Sequence, residues 1–296
     1  MIRLFLLGFF ALQLVVVSVV HAASLPKGTS FIGFRDGKWN VYLVMEENST
    51  PQVVTTVSEP RAATFSFKKN AVAYVAADGK IRVISLSNND DRVLLEPDRK
   101  RAFAQPSYNA DGSKLLLVDM KDGTSADTEI ALFDSASTGG AKQVTTQPAS
   151  QFEPHFFSEQ SMVYSSVSCV LGCGKIIQEI WRKNITAETA EQITLMNAIA
   201  RQPVPSPNGQ WVYFSSNKAG NYHIWRVPFS GGNPEQVTKG NVTDVNPAVG
   251  HDNRVCFIRI LSTGSNMVCR LPGGDEDFVD LPTGIQNIRN LEISSW

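Results

Sequence analysis

The amino-acid sequence predicts an all-β protein folded as a six-bladed β-propeller of four-stranded antiparallel blades. Three observations predict this fold: a repeat with a period near 46 residues, four strand-like segments in each repeat, and one extra segment at the C-terminus. Four short strands per unit at such a period are typical of propeller blades. Outside the N-terminal 22 residues, no segment shows convincing helical periodicity.

The repeat is marked by a polar residue followed by proline. Successive marker prolines are 46, 48, 49 and 44 residues apart, and a further step of 44 ends at Leu291, in a degenerate copy without proline. Each marker precedes a short apolar stretch and then a turn, which in two copies is an Asp-Gly or Asn-Gly pair that tolerates positive φ. The markers are Glu59-Pro60, Gln105-Pro106, Glu153-Pro154, Gln202-Pro203 and Asn246-Pro247.

The strand-like segments divide the chain into six predicted blades. The innermost strand of the first blade is predicted at residues 288–295, so that the two chain ends pair in one sheet and close the ring by backbone hydrogen bonds. The fourth strands of three blades share a Gln-x-Thr pattern, at residues 143–145, 192–194 and 236–238. The predicted blades are residues 27–57 with 288–296, then 58–97, 98–148, 149–196, 197–240 and 241–287.

Residues 1–22 are predicted to be a secretory signal peptide rather than part of the fold. Arg3 precedes an apolar run from Leu4 to Val20, and small residues suit cleavage after Ala22. A cut one residue later and an uncleaved membrane anchor are the alternatives, because the run is nearly long enough to span a bilayer. With the signal removed, residues 23–296 are expected to form one periplasmic domain without a membrane span.

All four cysteines lie in the predicted mature chain, and export to an oxidising compartment favours disulfides. Nearest-neighbour pairing gives Cys169–Cys173 and Cys256–Cys269. The second pair lies on two strands of a blade-six hairpin, where a turn near residues 262–263 would set the two side chains opposite each other. A metal site at the first pair is the weaker alternative, because no histidine is close to it in sequence.

The overall charge of the chain is nearly balanced. The chain has 27 basic and 28 acidic residues, and its formal net charge is −1. Such a balance gives no reason to expect a nucleic-acid surface or an anionic membrane as partner.

Blade five resembles the repeat of the TolB-like propellers, and blade three is similar. This resemblance implies the six-bladed propeller and the periplasmic compartment. The best-known member of that family belongs to the Tol–Pal envelope system and carries a separate N-terminal α/β domain, for which this chain has no room before its first predicted blade. The same repeat occurs in propeller-fold pectate-fragment lyases and in prolyl oligopeptidases, whose hydrolase domain is not expected here. The matching segments are residues 203–209, 212–216, 224–226 and 236–238 in blade five, and 106–112, 130–134 and 143–145 in blade three.

Partners of propellers usually meet the face that carries the loops leading into the innermost strands. We expect a polar mouth of mixed charge there, able to bind a peptide or an acidic saccharide; the alternative is a solvated rim of turn residues. The basic run at 99–101 is either a docking patch for an acidic partner or an exposed loop tip. The candidate binding residues are Arg61, Arg99, Lys100, Arg101, Glu153, His155, Arg201, Asp244 and Arg289.

Catalytic motifs are missing from the sequence, which contains no Gly-x-Ser-x-Gly elbow, P-loop or His-Glu-x-x-His. His155 is a candidate base or metal ligand, but a metal site usually needs several converging His or carboxylate groups, so no metal and no cofactor is predicted. The leading hypothesis is a monomeric, non-catalytic scaffold that binds a protein or peptide of the cell envelope. The alternatives are a lyase or hydrolase of acidic oligosaccharides that uses His155 and channel arginines, and a small-molecule or metal sensor.

Overall fold

The computed structural model describes residues 25–294, except 48, 55, 124–126, 138, 139, 170 and 272. The predicted signal peptide therefore lies outside the described residues. Within them the regular secondary structure is all β, with 24 strands in six four-stranded antiparallel sheets, which confirms the predicted fold class. The same residues contain no helix long and apolar enough to cross a membrane.

The first three blades contain the following strands. Blade one comprises β1 (Thr29–Arg35), β2 (Lys38–Leu43), β3 (Gln52–Val54) and β24 (Asn287–Ile293). Blade two comprises β4 (Ala62–Ser66), β5 (Ala71–Val75), β6 (Ile81–Ser85) and β7 (Asp91–Leu95). Blade three comprises β8 (Arg101–Tyr108), β9 (Lys114–Lys121), β10 (Thr128–Asp134) and β11 (Lys142–Gln143).

The other three blades repeat this arrangement. Blade four comprises β12 (Gln151–Ser158), β13 (Ser161–Cys169), β14 (Ile177–Asn184) and β15 (Glu191–Gln192). Blade five comprises β16 (Ala200–Pro205), β17 (Trp211–Ala219), β18 (Asn221–Pro228) and β19 (Glu235–Gln236). Blade six comprises β20 (Thr243–Val249), β21 (Val255–Leu261), β22 (Gly264–Arg270) and β23 (Glu276–Phe278).

The ring closes through the two ends of the propeller, as the sequence predicts. β24 pairs antiparallel with β1, with Thr29 opposite Ile293 and Gly33 opposite Ile288. The six innermost strands β24, β4, β8, β12, β16 and β20 contact one another in turn around the central channel. Every blade therefore meets its two neighbours, which leaves no open joint in the ring.

Apolar side chains pack between neighbouring blades rather than within a single sheet. Leu116 and Val118 of blade three share one cluster with Met162 and Tyr164 of blade four. Because both faces of a middle strand contact another blade, such strands are apolar along their length instead of alternating; all five residues of β5 are buried.

Four of the five polar-proline markers lie inside the innermost strands, not in the loops that lead into them as the sequence suggested, whereas Glu59-Pro60 precedes β4. The residue before the proline position is in the left-handed region at Gln105, Glu153, Gln202, Asn246 and Asn290, with φ between 47° and 56°. Strand pairing shifts register at this point in β8, β12, β16 and β20, which is a β-bulge. The bulge turns a polar side chain along the channel wall towards the next blade.

The Gln-x-Thr pattern ends the outer strand instead of extending it. In blade four the Thr194 hydroxyl accepts the Ile180 N–H at 2.8 Å and donates to Glu179 at 2.6 Å, while Gln192 donates to the Thr194 carbonyl at 2.7 Å. The threonine hydroxyl thus replaces a strand partner for the third strand. The bond from the backbone N–H to the threonine hydroxyl recurs between Ile130 and Thr145 and between Ile224 and Thr238.

Candidate functional site

The channel opens into a cavity of about 360 Å³ that all six innermost strands line. We call the face at which it opens the mouth face. Arg201 and Arg289 lie near the start of β16 and β24 on this side, and Arg61 directly precedes β4. His155 and Glu292 line both this cavity and a smaller one deeper in the channel. The cavity thus has arginines at its opening and two titratable groups, His155 and Glu292, further along the channel.

The marker side chains Gln105, Glu153, Gln202 and Asn246, together with Asn290 of the degenerate copy, join the blades in a hydrogen-bonded ring around this cavity, whereas Glu59 makes none of these bonds. Each accepts a backbone N–H from the next blade, so that one bond satisfies a channel-facing donor and ties two sheets together. The bonds run from Glu153 N to Gln105 Oε1 (2.8 Å), Gln202 N to Glu153 Oε2 (2.7 Å), Asn246 N to Gln202 Oε1 (2.9 Å), Leu291 N to Asn246 Oδ1 (3.1 Å) and Ala63 N to Asn290 Oδ1. At the remaining junction, between blades two and three, the Tyr108 N–H donates to Thr64 Oγ1 at 3.3 Å.

Glu153 and Arg201 form an ion pair on the channel wall. Arg201 Nη2 lies 2.7 Å from Glu153 Oε1, and the Ser165 hydroxyl donates to Oε2 at 2.9 Å. The charge of Glu153 raises the pKa of Arg201. Both residues were predicted as binding candidates; the structure places them together, with each charge balanced by the other.

Arg61 and Arg289 lie on the other side of the mouth, in blades two and one. The Arg289 guanidinium stacks on Trp39 with 4.0 Å between its carbon and the ring centroid, and its Nη2 donates to the Pro60 carbonyl at 2.9 Å. Burial lowers the pKa of Arg289, and the positive charge of Arg61 lowers it further, against an opposing effect of Glu59. Arg61 itself is exposed.

His155 points into the channel, as expected from its position after the marker proline. Its Nδ1 lies 3.2 Å from the Ser107 hydroxyl, and burial lowers its pKa to about 4. The imidazole is therefore neutral at physiological pH.

Glu292 is a cavity residue that the sequence analysis did not single out. Burial raises its pKa to about 8, against an opposing hydrogen bond with Thr64, so that most of it is protonated at neutral pH. The repeat contained the signal: Glu292 follows Leu291 as His155 follows Pro154, so both occupy the position after the marker. The degenerate last copy, without a proline, hid this correspondence.

Four predicted binding residues lie away from the cavity lining. Asp244 is fully buried, and its Oδ1 lies 2.7 Å from Arg259 Nε. Its charge is therefore balanced inside blade six and is not accessible at the mouth. Arg101 begins β8 and pairs with Asp119 at 2.7 Å, while Arg99 and Lys100 are exposed in the preceding turn. Among the described residues, no three His, Cys, Asp or Glu side chains are grouped so as to hold a metal ion.

Both predicted disulfides are present. Cys256 and Cys269 are directly opposite on β21 and β22 and are fully buried. Cys169 and Cys173 close the loop between β13 and β14, and Lys175 in this loop donates to the Asn197 carbonyl at 2.7 Å. The bonded loop is thereby fixed to the connection between blades four and five.

Fold and site together define a six-bladed propeller with a polar channel mouth. TolB propellers share this fold: a protein assigned as TolB from Agrobacterium tumefaciens aligns with a TM-score of 0.69 at 16% identity, over 90% of this chain and 94% of that chain. TolB from Acinetobacter baumannii aligns with a TM-score of 0.73 at 15% identity, over 90% of this chain and 66% of that chain. An oligogalacturonate lyase in complex with manganese gives 0.61 at 13% identity, over 84% and 73%. The resemblance to TolB-like propellers is thus confirmed at the level of the fold.

Sequence comparison adds little to this. No family model matches the chain. An uncharacterized protein of Agrobacterium fabrum is 26% identical over 108 residues, which are 36% of this chain and 35% of that protein. The match spans about a third of the curated relative's length.

Proposed function

We propose that this protein is an exported, non-catalytic scaffold of the periplasm that binds an acidic segment of another envelope protein at its mouth face. The chemistry of the cavity carries this proposal. Three guanidinium groups line it, and of its three acid–base groups one is a neutral histidine, one a mostly protonated glutamic acid and one a carboxylate paired with Arg201. A cavity with excess positive charge attracts an acidic partner and orients it.

Exposed apolar side chains beside the mouth also support protein binding. Leu171 in the disulfide-bonded loop is 89% exposed, and Leu195 in the adjacent blade connection is 84% exposed. Leu171 lies between β13 and β14 and Leu195 between β15 and β16, and both connections are at the mouth-face end of blade four. The Lys175–Asn197 bond joins these two segments. A loop held by a disulfide loses little conformational entropy when a partner docks on it.

Export is supported by two independent features. The predicted signal peptide would direct the chain across the inner membrane. The two disulfides suit an oxidising compartment such as the periplasm. Cleavage after Ala22 would leave a mature chain with Ala23 as its first residue.

A lyase or hydrolase acting on acidic oligosaccharides is the second candidate, favoured by the cavity arginines and by the fold shared with the oligogalacturonate lyase. The state of His155 weighs against it. A general base works best with a pKa near the operating pH, whereas the pKa of this imidazole is lowered to about 4.

Site-specific photo-crosslinking in living cells tests the proposal. A benzoylphenylalanine placed at Leu171 or Leu195 should give a discrete adduct with an envelope protein, and one at Asn208, exposed in a turn on the opposite face, should not. The adduct should be found in the periplasmic fraction on a chain that begins at Ala23. The purified partner should bind directly and lose affinity for the Leu171→Asp variant.

Equal labelling from both faces, or a chain retained in the membrane with its leader, would contradict the scaffold proposal. Formation of unsaturated uronates from oligogalacturonate by the purified protein would instead support the enzyme.

A further inference from the structure

The positive charge at the mouth is unevenly balanced. Arg201 has the Glu153 carboxylate at 2.7 Å. On the opposite side, Arg61 and Arg289 make no ion pair with any described residue, although they are close enough for the charge of Arg61 to lower the pKa of Arg289. The cation on one side of the mouth is therefore paired, whereas the other side has two cations that form no ion pair with any described residue.

Arg289 is held in place with most of its hydrogen-bonding capacity unused. Stacking on Trp39 and the bond to the Pro60 carbonyl fix the plane of the guanidinium. A guanidinium has five N–H donors. Among the described residues Arg289 has one acceptor, the Pro60 carbonyl, and its Nε is buried out of reach of solvent, so its free donors are those of Nη1 and Nη2. A fixed cation with free donors is prepared to receive an anion without further loss of side-chain entropy.

The surroundings of this pair admit an anion. His155 and Glu292 line the same cavity. Burial lowers the pKa of His155 to about 4 and raises that of Glu292 to about 8, so that at neutral pH the histidine is neutral and the glutamic acid is mostly protonated. Glu59 is the one nearby acid that affects Arg289, but it is exposed and forms no ion pair with either arginine in the described structure. An incoming anion would thus compete with one exposed carboxylate among the described residues that affect Arg289.

We propose that Arg61 and Arg289 form a carboxylate-binding site at the channel mouth. The planar fork of a guanidinium matches a carboxylate in two parallel hydrogen bonds, and two guanidiniums from adjacent blades receive it from two sides. This inference deepens the proposed function, since it names the group of the partner that reaches the channel. An acidic side chain of a peptide and the carboxylate of a uronic saccharide present the same chemistry, so both are included in the test.

Titration of the purified mature chain tests the site without any envelope partner. The probes are the dipeptide acetyl-Glu-Glu-amide and digalacturonate, with acetyl-Gln-Gln-amide as the neutral control. Binding is followed through the ¹⁵N-labelled arginine Nε–Hε signals, and affinities are measured by calorimetry at constant ionic strength. At least one acidic probe should shift the Arg289 signal, and the neutral dipeptide should not.

Four variants make the test specific. Arg61→Gln should lower the affinity for the acidic probe about tenfold, as expected for the loss of one charge-assisted hydrogen bond. Arg289→Lys keeps the charge but loses the planar guanidinium, and it should lower the affinity to a similar extent. Glu59→Gln should tighten binding about twofold because it removes the competing carboxylate. Arg92→Gln, which removes an exposed cation of blade two outside the cavity, should leave the affinity unchanged.

The outcomes separate this site from the scaffold proposal. Binding of the acidic dipeptide supports both, whereas binding of digalacturonate alone supports the carboxylate site but contradicts a protein ligand. An Arg289 signal that stays unmoved with both acidic probes, or an affinity that Arg61→Gln leaves intact, overturns the site. Crosslinking from Leu171 could still succeed in that case, because the exposed leucines do not depend on these arginines.

Discussion

Glu153 of blade four and Arg201 of blade five form an ion pair across a blade junction, with Arg201 Nη2 and Glu153 Oε1 2.7 Å apart. The other oxygen of the same carboxylate accepts the Gln202 N–H at 2.7 Å. One side chain therefore balances the charge of Arg201 and also accepts one bond of the hydrogen-bonded ring. These two contributions can be separated by substitution.

Glu153→Gln should lower the free energy of unfolding by about 1 kcal/mol, because the amide still accepts the Gln202 N–H while the ion pair is lost. Glu153→Ala should cost about 2–3 kcal/mol, because it also leaves that N–H without its acceptor. Urea denaturation followed by tryptophan fluorescence measures both. Equal losses for the two variants would show that the ring bond contributes nothing beyond the charge.

Asn246 tests the ring at the junction where the chain ends meet. Its side chain accepts the Leu291 N–H and donates to the Leu291 carbonyl, both at 3.1 Å, and its φ is 53°. Asn246→Ala should lower the free energy of unfolding by about 2 kcal/mol, and Asn246→Gly by less, because glycine tolerates positive φ and removes only the side-chain bonds.

Asn221→Ala is the matched control for Asn246, since Asn221 is exposed and makes one long bond to Asn241. Its unfolding midpoint should stay within the error of the unsubstituted protein. A stability ranking in which glycine at position 246 is worse than alanine would show that backbone strain is unimportant there.

The two disulfides should differ in accessibility and in effect on stability. Cys256–Cys269 is buried and crosslinks two strands, so the Cys256→Ala, Cys269→Ala double variant should lose about 2–4 kcal/mol. Cys169–Cys173 closes a short loop, and the corresponding double serine variant should lose under about 1 kcal/mol. Mass spectrometry after mild reduction and alkylation should label Cys169 and Cys173 first. Simultaneous labelling of all four cysteines would contradict this order.

Glu292 should make stability depend on pH. The pKa of its carboxyl is about 8 in the folded chain against an ordinary value of 4.5, so the unfolded chain releases this proton first as the pH rises. Stability is therefore highest, as far as this group is concerned, below pH 4.5, and it falls by up to about 1.4 kcal/mol per pH unit between pH 4.5 and 8.

The Glu292→Gln variant should remove this loss. Its free energy of unfolding relative to the unsubstituted protein should rise from pH 5 to pH 8, as measured by urea denaturation at each pH. Glu96→Gln, which changes an exposed glutamate, is the matched control. A difference between the Glu292→Gln variant and the unsubstituted protein that is constant over this range would show that Glu292 titrates normally.

Much of the fold could be predicted because its signals are local. The Asn208-Gly209 turn, the apolar middle strands and the polar-proline markers each specify one piece of a blade through residues adjacent in the chain. The pairing of Cys256 with Cys269 followed from the hairpin register. Repetition of these signals about every 46 residues then fixed the number of blades and the position of the closing strand.

The site depends on contacts between residues that are distant in sequence. The Gln-x-Thr pattern indicated a strand, but its threonine satisfies a backbone group of the neighbouring strand instead. The sequence suggested that Asp244 is a charge at the mouth, because its surrounding sequence does not show that Arg259 is opposite it on β21 and pairs with it. A charged residue looks the same in sequence whether it faces solvent or a buried partner.

The sequence by itself indicated the repeating unit, the closure of the ring and the favoured disulfide pairs, since turn chemistry and short apolar strand segments act over a few residues. The tertiary structure decided which polar groups are free to bind. Arg289 stacks on Trp39, at the far end of the chain, and Arg201 is neutralised by Glu153 one blade away. Only the closed ring brings these residues together, because the identity of a partner about one repeat or more away is set by the packing of blades rather than by local propensity.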